Sequence, residues 1–421
     1  MYMKIRYLSL LILPLLLLPA CKTEEVIEPW QSNALEQYTL TPIPGGVSIE
    51  YVLPNDQELL YILAEYERGG KPFTEKSSIY KNEIVLEGFN TTENVEATIY
   101  KVNKKEQKSE PLKINFNPLT PPIQVAFESL NIMTAFGGIL ATWINISQTE
   151  FGVRLMTEVD GELETSEVYF TTIPEERHYF RGFPDVLTTF AISFEDKWGN
   201  ISDTVRYTTT PFFEKEIEKP FLDYRLHIPY DNISLYSTRF PIENMWDGIV
   251  GFVNNGYMVQ SGEPGLSFTF DLRKVAKLSR MIVWPRLQID QWWTVYRNAN
   301  IMSFEMWGID KIDPATLANR DYWLDDVSAP PGKVVPAYTF KDDWTYLGLH
   351  NIERLDKMGA SSNDIRQRGI DGHMLDIPIE ADPVRYIRIF VRENTDGSPP
   401  PNNFYSIGEI SFFGDDRVGG E

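Results

Sequence analysis

The sequence predicts an all-β protein: two sandwiches in tandem, then a larger third β-domain. Three observations carry this. Short runs alternating apolar and polar residues recur between turn residues at ~8–12-residue spacing, which suits sandwich strands. A weak internal repeat of about 90 residues can be laid over the chain up to Pro211. Beyond it the aromatic load rises, and seven of the ten tryptophans stand at Trp246 or later.

At the N-terminus, Lys4 and Arg6 precede an apolar run, Leu8 to Leu18, and then Leu18-Pro19-Ala20-Cys21. The run falls short of the ~20 residues that span a bilayer, so residues 1–20 are expected to be a signal peptide. Cys21 is the only cysteine in the chain, and its place marks it as a lipidation site. The competing reading is an ordinary secretory signal with an incidental cysteine. Acylated, Cys21 would anchor the chain to a membrane without spanning it. Residues 21–37 are then a lipidated tether. Its start, Lys22-Thr23-Glu24-Glu25, is read either as an export signal to the outer face of the outer membrane or as plain solvated linker.

Composition bounds the rest. Some 400 residues exceed one core and suggest two to four domains at ~100–200 residues each. A net charge of −21 argues against nucleic acid, whose binders neutralise phosphates with Lys and Arg. Without a second cysteine there are no disulfides, so the domains must hold by packing.

The first expected sandwich, residues 38–119, opens at Gly45-Gly46 and alternates through Tyr51; the second, 120–212, opens at Gly137-Gly138 and alternates through Trp143. In each, further alternating runs follow in the same order, and a Pro-rich junction closes the copy. Both are read as immunoglobulin/fibronectin type III-like sandwiches. With no chemistry visible in them, their expected role is spacing. Residues 213–240 are expected to be linker and a lead-in strand.

The third domain, 241–416, carries a family pattern. Met245-Trp246-Asp247-Gly248, Phe268-Thr269-Phe270-Asp271-Leu272, Ser279 to Arg286, Ser303 to Gly308, Trp344 to Gly348, Val384 to Ile389 and Ile407 to Gly414 occur in order. Together they resemble the coagulation factor 5/8 type C (discoidin, galactose-binding-like) domains. The resemblance implies an antiparallel jelly roll that binds ligands, often terminal sugars, in loops at one end. It further implies a ligand loop at Tyr257, and a structural calcium with Asp247 and Glu409 as oxygen ligands. Two long insertions, Ile309 to Asp343 and Asn351 to Met374, depart from the family and are expected to reshape or cover the ligand end. The order of parts resembles outer-membrane lipoproteins of Bacteroidetes that accompany glycan-transport proteins, which implies a glycan partner and an outward-facing location.

Candidate ligand contacts concentrate in Trp284 to Asn298. A sugar offers an apolar C–H face and a rim of hydroxyls, which flat aromatics and directional polar groups match. Adjacent strand residues point oppositely, so at least one of Trp292 and Trp293 should lie outside the core; the alternative packs both against the insertions. Arg286 either binds ligand or pairs with a carboxylate. Tyr296 and Tyr257 complete the candidate set, while Trp284 and Trp307 are expected in the core. The usual catalytic spacings are missing: His178, His227, His350 and His373 are scattered, and there is no nucleophile elbow or phosphate loop. Asp325-Asp326 and Asp342-Asp343, within an insertion, are read as solvated loop charge. The expectation is a non-catalytic surface lipoprotein that binds carbohydrate through its C-terminal domain. The alternative is a protein–protein adaptor or adhesin without sugar binding, marked by a contiguous apolar patch.

Overall fold

The computed structural model describes residues 30–259, 266–325, 329, 332–398, 400 and 404–418. The expected signal peptide, Cys21 and Asp326 lie outside the described residues. The chain divides into two compact units after Pro122.

The first unit is a two-sheet sandwich. Tyr38–Ile43, Gly46–Tyr51 and Glu83–Glu87 form one sheet. Lys71–Ser78, Leu59–Arg68, Val95–Asn103 and Leu112–Phe116 form the other. Alternation places Val47, Ile49, Ile62, Ala64, Ile84, Leu86, Ile99 and Ile114 in the core between them.

The second unit begins at Ile123, within the short helix Pro122–Glu128, and its first sandwich repeats that topology strand for strand. Asn131–Ala135, Gly138–Ile144 and Glu175–Phe180 make the three-stranded sheet; Glu162–Thr171, Phe151–Val159, Thr188–Asp196 and Val205–Thr209 make the four-stranded one. The paired glycines explain why the repeat is legible. Gly45 and Gly137 have φ near +65° (65° and 64°), which glycine adopts without steric cost. A Cβ on Gly46 would lie 2.1 Å from the Leu86 carbonyl oxygen, and on Gly138 1.9 Å from that of Phe180. The Gly45 amide donates to Leu119 and the Gly137 amide to Phe212 (2.9 and 2.8 Å), tying each copy's start to its end.

The C-terminal domain is a sandwich whose two sheets share one long strand, Ser267–Trp284. Its first half lies between Leu222–Asp223 and Val384–Asn394, with Ile301–Ile309 and Thr345–Asn351 beyond. Its second half lies between Glu409–Asp415 and His373–Asp376, with Lys215–Glu216 at the far edge. Lys215–Glu216 and Leu222–Asp223 therefore belong to this domain as short strands, where a lead-in strand was expected. The family segments Phe268 to Leu272 and Ser279 to Trp284 lie on this one strand, which bulges between Asp271 and Ala276. Asp271 accepts from the Arg273 amide (2.6 Å), and both its oxygens accept from the Arg385 guanidinium (2.8 Å each). Phe268, Phe270, Met281, Val283, Phe304, Met306, Ile387, Ile389, Ile410 and Phe412 fill the core.

The second sandwich and this domain are joined by charged contacts, part-buried at Glu214 and exposed at Asp376. Glu214 accepts from Ser279 Oγ (2.6 Å) and from Arg280 Nε and Nη2 (3.1 and 2.9 Å), and Arg181 donates to Asp376 (2.6 Å).

Of the four histidines, His350 and His373 are buried in the C-terminal domain. Burial pulls both down to about 4 from 6.5, with Arg368 adding to the effect at His373. The unfolded chain therefore takes up protons first, and stability present above pH 6.5 is lost as pH falls towards 4. Melting temperatures across that window should drop, and less steeply in the His350→Gln, His373→Gln variant. Equal slopes would contradict the assignment.

Candidate functional site

Beyond Trp284 the chain leaves the sheet and returns at Ile301, and the loop between is closed at its neck. The Arg286 amide donates to Asn300 Oδ1 (2.7 Å), while Asn300 Nδ2 donates back to the Arg286 carbonyl (3.2 Å). Inside the loop, Thr294 Oγ1 donates to the Gln291 carbonyl (2.6 Å) and accepts from the Gln288 amide (2.9 Å). Leu287 and Val295 are buried beneath. The result is a 3₁₀ turn, Trp292–Thr294, that begins with the tryptophan pair. Trp292 and Trp293 are 37% and 44% exposed, their rings 6.2 Å apart and nearly perpendicular at 85°.

Neighbouring segments clamp this loop. Helix Ser362–Asp371 packs on it so closely that a Cβ on Gly369 would lie 2.7 Å from Val295. Arg366 Nε donates to the Ile289 carbonyl (2.9 Å), and the Ile289 amide donates to Gly251 (3.1 Å). The insertion Asn351 to Met374 thus supports the tryptophan loop. The insertion Ile309 to Asp343 sits elsewhere, at the opposite end of strand Ile301–Ile309. Its Trp323 and Phe340 build a second core with Trp344 and Phe390 on the outer face of the sheet, where Trp307 also packs. Trp284 is half-buried on the outer side, its indole donating to the Ile370 carbonyl (2.9 Å).

The other candidates are not surface groups. Arg286 is buried, and neither expected role survives: it donates to the carbonyls of Asn255 (3.0 Å) and Val253 (2.5 Å) and lies 4.6 Å over the Phe240 ring. Burial pulls its guanidinium down to about 10. Its work is to fix the 253–258 segment. Tyr257 is fully buried; its hydroxyl accepts from Arg225 Nη1 (2.9 Å), and burial pushes it up to about 12. Tyr296 is also buried, accepting from the Leu355 amide (3.3 Å) beneath the Arg354 guanidinium. Neither tyrosine face is open to a ligand.

Asp247 and Glu409 share a corner, but the residues present do not fit calcium. Glu409 is buried against the Lys219 ammonium (2.5 Å) and accepts from the Gly248 amide (3.2 Å). Asp247 accepts from the Ile249 amide (2.8 Å) and Asn255 Nδ2 (3.0 Å). An ammonium holds the carboxylate where a calcium shell of six to eight oxygens would be needed. Lys219 lies 190 residues from Glu409 along the chain, and spacing gave no sign of it. Asp325, read as loop charge, is buried and paired with Lys341 (2.5 Å) and Arg392 (3.2 Å). Asp342 caps helix Phe340–Asp343.

Three family models match in succession: domains of unknown function at residues 32–118 (DUF4959), 119–220 (DUF5126) and 246–414 (DUF5000). No curated protein matches the chain. Among solved structures, the SusE-like protein BT2857 aligns over 70% of this chain and 99% of its own at 20% identity, TM-score 0.39. A family 89 glycoside hydrolase from Clostridium perfringens in complex with PUGNAc aligns over 48% and 15%, at 12% identity and TM-score 0.26. A two-domain fibronectin type III segment from chicken tenascin aligns over 42% and 99%, at 12% identity and TM-score 0.21. Likenesses this loose carry no weight for function.

The Lys219–Glu409 pair generates a prediction. Lys219→Met strands a buried carboxylate and should cost about 3 kcal/mol, read as a lower melting temperature that calcium does not restore. The unmodified chain should melt alike in calcium and in EDTA. A calcium-dependent rise would overturn the ammonium assignment.

Proposed function

We propose that the chain is a non-catalytic surface lipoprotein whose C-terminal domain binds carbohydrate through the Trp292–Trp293 corner. The observation that carries this is the pair's setting. Two large aromatic rings stand half in solvent on a turn held by buried hydrogen bonds and clamped on both sides. Tryptophan offers large flat area at low entropy cost, and a platform ordered before binding loses little entropy on contact. Perpendicular indoles offer two flat faces for the C–H surfaces of sugars, and Gln291 and Arg297 lie exposed beside them. The N-terminal sandwich and its repeat serve as spacers behind a Cys21 lipid anchor, and the setting is glycan uptake at the outer membrane. Among the described residues no helix is long and apolar enough to cross a membrane.

One observation favours the second reading, a protein–protein adaptor. Ile249 and Phe252 are exposed on the segment hydrogen-bonded to the tryptophan loop, and they widen the apolar surface past what one sugar needs. A glycan array decides between the two. Soluble residues 22–421 should bind a restricted set of glycans, and a folded Trp292→Ala, Trp293→Ala variant should bind none. Silence across plant, host and microbial glycans would overturn the lectin reading.

A further inference from the structure

The insertion that does not support the tryptophan loop encloses a groove of its own. Between strands Ile301–Ile309 and Thr345–Asn351 the chain forms helix Pro314–Ala318, a 3₁₀ turn at Arg320–Trp323 and helix Phe340–Asp343. Trp323 and Phe340 anchor these pieces in the second core, and Asp325, Lys341 and Arg392 pin them to the sheet. What remains between them is an open groove of about 610 Å³, within the ~300–1,000 Å³ range of small-molecule sites.

Its lining is unusual for a gap between structural pieces. Tyr322 and Tyr338, ring centroids 6.2 Å apart, both donate their hydroxyls to one carboxylate, that of Asp343, at 2.8 Å from Tyr322. Tyr322 is buried, but Tyr338 is 57% exposed. An exposed ring gains little from packing, yet here a carboxylate fixes its orientation over the groove. Desolvation and the Asp343 carboxylate raise the Tyr322 phenol, and Asp343 raises that of Tyr338, so both stay protonated as donors. Lys311, Asp313 and Asn319 line the rim. Asn319 spends its oxygen on the Tyr322 amide (3.4 Å), and Asp313 spends one on the Ala315 amide (2.9 Å). An amide, an ammonium and a carboxylate thus line the same groove as the Tyr338 ring. Charges of both signs do not suit a phosphate or a lone cation. They suit a neutral polyhydroxylated ligand.

We propose that this groove is a second carbohydrate-binding site, with Tyr338 as its stacking platform and Asp343 as the residue that positions it. It does not rest on the tryptophan pair. If both sites bind, they lie about 25 Å or more apart along strand Ile301–Ile309, and one polymeric glycan bridging two copies or folding across one would be held with avidity.

The test uses residues 22–421 labelled with 3-fluorotyrosine, the Tyr338 signal assigned by its loss in Tyr338→Phe. Galactose, glucose, mannose, xylose and N-acetylglucosamine are titrated singly, with glycerol as control. The Tyr338 resonance should move with at least one sugar, not with glycerol, and should still move in the Trp292→Ala, Trp293→Ala variant. Asn319→Ala should weaken that response about ten-fold, the worth of one hydrogen bond. A Tyr338 signal unmoved by every sugar, or moved equally by glycerol, would overturn the proposal whatever the tryptophans do.

Discussion

The C-terminal domain depends on one strand serving two sheets. Ser267–Trp284 is long enough to pair with Val384–Asn394 along its first half and with Glu409–Asp415 along its second. The change of partner needs a bulge, and Arg273 adopts a positive φ of 71° there. The two-pronged Asp271–Arg385 contact holds that shape, which is the geometry at which an arginine–carboxylate pair is strongest. Everything on either side inherits its position from this bend. Glu214 meets Ser279 and Arg280 just past it, and the tryptophan loop begins where the same strand ends.

Support for the tryptophan corner comes from distant parts of the chain. The loop's neck is local, Arg286 with Asn300, but the clamp is a helix some 75 residues on and a turn some 40 residues before. Buried Arg286 then carries the order outward, gripping two carbonyls of the 253–258 segment. A rigid platform on a loop is built this way: the ring that touches solvent is the last member of a series of buried, satisfied groups.

What was legible in the sequence was local. Gly45-Gly46 and Gly137-Gly138 announced the repeat because a positive φ and a strand crowding a Cβ admit only glycine. Alternation located most strands; strand alternation would have exposed at least one of the two adjacent tryptophans, whereas the 3₁₀ turn they stand on exposes both. Partners far apart in sequence were not legible. Tyr257 lies on a short strand paired to Ser406–Ile407 and so is core, although Asn254-Asn255-Gly256 reads as an open turn. Arg286 and Glu409 look like binding groups by type; their partners, backbone carbonyls and Lys219, are supplied only by the fold. The lead-in was expected as one strand within 213–240; its two short strands, Lys215–Glu216 and Leu222–Asp223, were not separately legible because two-residue strands leave almost no pattern.

The most direct measurement is hydroxyl-radical footprinting of residues 22–421, free and in the presence of a mixture of soluble plant, host and microbial glycans. Trp292 and Trp293 should oxidise readily in the free chain and become protected with glycan, while exposed Met133, on strand Asn131–Ala135 of the second sandwich, oxidises equally in both. Indoles that oxidise at the same rate with and without glycan would contradict the central claim.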